Sequence, residues 1–62
     1  MTFAEQLKAA RTRARIPQSE LAAILGVTAN TVRNWENGRT EPPEQDLSKS
    51  GILRTIEQER TR

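Results

Sequence analysis

Apolar side chains recur along this chain at helical spacing. Phe3, Leu7, Ala10 and Ala14 are separated by four, three and four positions and so line one face of a helix. Thr2 followed by Glu5 is a capping-box pattern, in which a hydroxyl and a carboxylate each accept from an N–H group that the helix leaves free. A first helix over 3–15 follows from these signals. Pro17 disfavours helical backbone at Ile16 and suits the first turn of a new helix. Leu21, Ala22 and Leu25 mark that second helix over 18–25, and Gly26 stands where a left-handed residue ends one. Thr28 is a good N-cap for a third helix, whose inner edge is Val32 and Trp35 and which Asn37-Gly38 closes. Pro42-Pro43 then imposes an extended turn.

The last segment carries a mixed signal. Leu47, Ile52, Leu53 and Ile56 are apolar, but Ser48, Ser50 and Gly51 are poor helix formers. A helical turn near 44–49 and a helix over 51–59 are expected, with residues 60–62 frayed. Neither strand-type alternation nor a repeat is present, so the chain reads as one all-α domain over 1–62, a compact four- to five-helix bundle.

Composition narrows what such a bundle can do. At 62 residues the core must be small, and with no cysteine no disulfide can reinforce it. Histidine is absent as well, so no transition-metal site is expected. No apolar run approaches the ~20 residues of a bilayer span, and an apolar leader core is lacking, which predicts a cytoplasmic protein without a membrane partner. The net charge of +2 is unevenly spread: residues 1–40 carry six basic and three acidic groups, and residues 41–62 carry four and five. A basic front half fits a polyanionic partner, although a solvated charged face has the same composition. Acid–base catalysis needs titratable groups held in a concave pocket, for which so small a bundle has little room, so no enzymatic role is expected. Glu57 and Glu59 read as an exposed helix end. Neither a cofactor nor a small-molecule ligand is expected.

The second and third helices, at about 18–37, are joined by roughly three residues including Gly26. So short a joint makes two helices cross steeply, which is helix-turn-helix geometry, though small bundles without a nucleic-acid partner share it. The outer face of the third helix adds chemistry. Ala29, Asn30, Arg33 and Asn34 share the side opposite Val32 and Trp35. Asparagine can bond an adenine edge bidentately, arginine a guanine edge, and alanine can touch a thymine methyl. No acid occurs between Glu20 and Glu36, which removes a source of repulsion toward phosphate. Trp35, at helical spacing from Val32, reads as core and not as a base-stacking group. Arg13 and Arg15 read equally as phosphate contacts or as solvated charges.

Residues 7–42, "LKAARTRARIPQSELAAILGVTANTVRNWENGRTEP", resemble the phage-repressor (Cro/CI-like, or XRE-like) helix-turn-helix domain. The resemblance rests above all on "Q..LA..LGV", on "NWENG", and on the basic residue and proline after them. It implies a lambda-repressor-like bundle with a recognition helix in the major groove, usually as a homodimer on a palindromic operator of double-stranded DNA. By position it implies base contacts from Ala29, Asn30, Arg33 and Asn34, and backbone contacts from Gln18, Thr28, Thr31, Asn37 and Arg39. It also implies a partly buried ion pair between Arg11 and Glu36 tying the first helix to the third. The function implied is transcriptional repression at the protein's own or a neighbouring promoter. Two departures stand out: Pro17 replaces a usual Ser or Thr cap, and Ile24 replaces a usual charged residue. An exposed Ile24 keeps open an alternative, a protein-binding module of antitoxin-like or complex-docking type on the same scaffold. Ile52, Leu53 and Ile56 form a broad apolar stripe, expected to cover the bundle with one edge and to form the dimer interface with the other.

Overall fold

The computed structural model describes residues 2–42 and 49–60. Four helices occupy them: α1 (Phe3–Arg13), α2 (Gln18–Leu25), α3 (Ala29–Glu36) and α4 (Lys49–Arg60). The expected turn near 44–49 lies outside the described residues except for Lys49, which opens α4. That last helix begins two residues earlier than propensity predicts, because burial of Ile52 and Ile56 outweighs the weak preferences of Ser50 and Gly51.

The helix starts follow side-chain chemistry. Thr2 Oγ1 accepts from the Glu5 N–H at 3.3 Å while Glu5 Oε1 accepts from the Thr2 N–H at 3.2 Å, a complete capping box on α1. Glu5 Oε1 also accepts from the Thr2 hydroxyl at 2.9 Å, and the two bonds it accepts hold the exposed Glu5 carboxyl below its usual pKa, the Thr2 backbone bond contributing most. Pro17 offers α2 no side-chain cap. Thr28 Oγ1 caps α3 by accepting from the Thr31 N–H at 3.1 Å.

Three helices end in one way. The first or second residue after the helix turns left-handed, and the next N–H reaches back five positions: Ile16 to Arg11 O at 3.1 Å, Val27 to Ala22 O at 2.9 Å, and Arg39 to Asn34 O at 3.0 Å. The left-handed residues are Arg15, Gly26 and Gly38, with φ of 60°, 74° and 75°. Glycine signals the second and third of these turns in the sequence. Arg15 gives no such signal, which is why periodicity carries the first helix on to residue 15 where the structure ends it at Arg13. The same turn carries Ile16 into the core, a position that helical periodicity alone does not reach.

Leu7, Ile16, Leu21, Ala22, Val32, Trp35, Ile52 and Ile56 make the core, with Phe3, Ala10, Ala14, Leu25 and Val27 packed around it. Helix α3 packs against both α1 and α2, and α4 packs against α1. One sequence expectation is corrected here. Ile52 and Ile56 are both fully buried within their own chain, so neither has surface left for a second subunit. A core this small needs both edges of the stripe. Of the three residues assigned to the dimer interface, only Leu53 keeps exposed surface.

Candidate nucleic-acid interface

Helix α3 is held in place from behind. Val32 and Trp35 are buried, which sets its rotation and turns Ala29, Asn30 and Arg33 to solvent, with Asn34 and Thr31 half-buried beside them. Left-handed Gly26 and the Thr28 cap confine the joint from α2 to Gly26, Val27 and Thr28. Nothing lies within 4 Å of a Cβ built on Gly26, so glycine is needed there for its backbone angle and not for space.

The one acid of α3 is turned inward. Arg11 Nε donates to Glu36 Oε2 at 2.6 Å and Arg11 Nη2 donates to Glu36 Oε1 at 3.2 Å, a two-point pairing between α1 and α3. Side-chain exposure is 15% for Arg11 and 4% for Glu36. Arg11 Nη1 also donates to Ile16 O at 2.8 Å, and Gln18 Nε2 donates to Glu36 Oε1 at 3.2 Å. Three helices thus meet at one carboxylate, and the same arginine ties in the first turn. Its charge is spent inside the protein, so the outer face of α3 carries Arg33 as its only ionised group.

Two further pairs of polar side chains at α3 bond locally. Thr28 and Thr31 share a hydroxyl–hydroxyl bond of 2.8 Å. One hydroxyl donates to the other, which leaves one hydroxyl proton of the pair directed elsewhere. Arg33 Nη2 donates to Asn30 Oδ1 at 2.7 Å, a bond along the helix surface that periodicity does not reveal. Asn37 caps the C-terminus of α3, and Arg39 is exposed just past Gly38, its N–H fixed on Asn34 O. Gln18 occupies the first position of α2, half-buried, with one amide hydrogen engaged by Glu36. Ala29, Asn30, Arg33 and Asn34 therefore lie on α3, while Gln18 and Arg39 flank its two ends.

The helix-turn-helix family model matches residues 7–49, which spans α1 to the start of α4. The chain belongs to the XRE-type (Cro/CI-like) helix-turn-helix family. The family match runs past residue 42, where the quoted resemblance stops. As a helix-turn-helix regulator the domain binds DNA, and α3 holds the place of its recognition helix. No curated protein and no solved structure matches the chain significantly. No helix among the described residues is long and apolar enough to cross a membrane.

Proposed function

We propose that this helix-turn-helix domain is a sequence-specific transcriptional repressor that acts by occupying a promoter, its own or a neighbouring one, in the cytoplasm. The observation that carries the reading is the inward-turned Glu36. With it neutralised by Arg11, α3 offers a major groove two asparagines, an arginine and an alanine with no exposed carboxylate among them. Ala29, Asn30, Arg33 and Asn34 supply the groups that face bases. Gln18, Thr28, Thr31, Asn37 and Arg39 supply donors around the helix ends, where phosphates run. The N-terminus of α2, which has no side-chain cap, adds free N–H groups and the positive end of a helix dipole beside Gln18.

A palindromic operator fits the reading, with two copies placing their recognition helices about 34 Å apart. Contact between the copies would involve Leu53 at the edge of α4 and not the buried isoleucines. The alternative, a protein-binding module, would draw on Ile24. That residue is 37% exposed and is the single exposed large hydrophobic of the described residues, which is ordinary for a solvated surface.

Selection of bound duplexes from a randomised pool, followed by titration of the enriched and scrambled sequences, tests the proposal. A repressor should prefer the enriched site by ~10³ or more. Equal affinity for both duplexes would refute it in favour of a protein-binding role.

A further inference from the structure

We infer that Arg33 reads a guanine and that Asn30 is its positioning residue instead of a second, independent reader. The inference rests on the proposed function and deepens it. Among the described residues, the one hydrogen-bond partner of the Arg33 guanidinium is Asn30 Oδ1, at 2.7 Å. The bond joins neighbouring positions on a helix whose rotation is set by buried Val32 and Trp35, so it aims the arginine relative to a fixed frame.

Guanidinium geometry makes the arrangement productive. Two edges of the group present paired N–H donors, one from Nε and Nη2 and one from Nη1 and Nη2. Nη2 has one hydrogen on each edge. Whichever hydrogen Asn30 accepts, the other edge keeps both its donors, and a two-donor edge is what the O6 and N7 acceptors of guanine require.

Asn30 itself is poorly placed to read. An adenine edge takes an acceptor and a donor from one amide at once, both directed at the base. Here the amide oxygen already accepts from Arg33, three positions along the helix. That oxygen has a second lone pair, but the amide would then have to serve the arginine and the base in one orientation.

Arginine has a rotamer-rich side chain, so holding it in one orientation before binding spares its ordering on the DNA. Losing Asn30 should therefore weaken discrimination at the base pair read by Arg33, not at one of its own.

The test compares selection from a randomised duplex pool by wild type, Arg33→Ala, Asn30→Ala and Asn30→Asp. Arg33→Ala should erase one guanine preference, normally about 5- to 150-fold for a bidentate contact. Asn30→Ala should lower that same preference by about 2- to 12-fold, the cost of ordering one long side chain, and leave other positions unchanged. Asn30→Asp keeps the acceptor for Arg33 but has no amide donor, so the guanine preference should survive while affinity for all duplexes falls together. If Asn30→Ala and Asn30→Asp both relax a different base pair, Asn30 is a reader and the inference fails while the proposed function stands. A motif that Arg33→Ala leaves intact overturns it likewise. Failure of the wild type to enrich any motif removes the proposed function, and the inference with it.

Discussion

Breaking the Arg11–Glu36 pair should cost unequal amounts depending on which partner is removed. Arg11→Met leaves the Glu36 carboxylate, whose side chain is 4% exposed, with Gln18 Nε2 as its remaining partner. Glu36→Leu leaves the Arg11 guanidinium, 15% exposed, with Ile16 O still accepting from it and water at its edge. Removing one partner of a fully buried pair costs about 3–5 kcal/mol. Arg11→Met should fall in that range, and Glu36→Leu should fall lower, at about 2–4 kcal/mol after allowance for solvent access. A domain of this size has a total stability of only about 3–9 kcal/mol. Either variant therefore sits near its unfolding threshold, and a stabilising co-solute such as sulfate keeps it measurable.

Replacing both residues leaves no buried charge. The double variant should then recover at least about 1.5 kcal/mol relative to the sum of the singles. Urea titration followed by the fluorescence of Trp35, the only tryptophan and a core residue, reads all four corners of the cycle. Additivity within about 0.5 kcal/mol would refute the coupling, and a larger loss for Glu36→Leu than for Arg11→Met would refute the burial argument.

Arg15 occupies a left-handed position that costs an L-residue about 1–2 kcal/mol, partly offset in glycine by about 0.5–1 kcal/mol of extra chain entropy. Arg15→Gly should accordingly raise stability slightly, by about 0.5 kcal/mol, whereas Gly26→Ala should lower it by about 1 kcal/mol without any steric clash, both read from urea titration; the reverse order would contradict the shared turn geometry. The depressed Glu5 pKa means that the capping box adds stability at pH above the ordinary carboxylate range and loses it as pH falls through the lowered folded value. Thr2→Ala removes the hydroxyl bond and keeps the backbone N–H, so the Glu5 titration, followed by NMR, should move part of the way up toward its ordinary value; an unchanged titration would show that the hydroxyl does not hold the carboxylate.

Local chemistry is what the sequence determined by itself. Thr2 and Thr28 as caps, Gly26 and Gly38 as left-handed stops, and the spacing of Leu7, Leu21, Val32 and Trp35 each depend on residues within a turn or two, so helix existence and inward faces are legible from the chain. The Arg11–Glu36 pair was reached through family resemblance and not through spacing, since twenty-five positions separate the partners. Tertiary structure alone decided three things. It closed α1 at Arg13 through a left-handed arginine, because the pull of Ile16 into the core outweighs the local cost at Arg15. It took both Ile52 and Ile56 into the bundle, because a core of so few large side chains has no apolar group to spare for a partner. And it joined the Gln18 amide to Glu36 across eighteen positions, because only the packing of α2 on α3 brings the two side chains together.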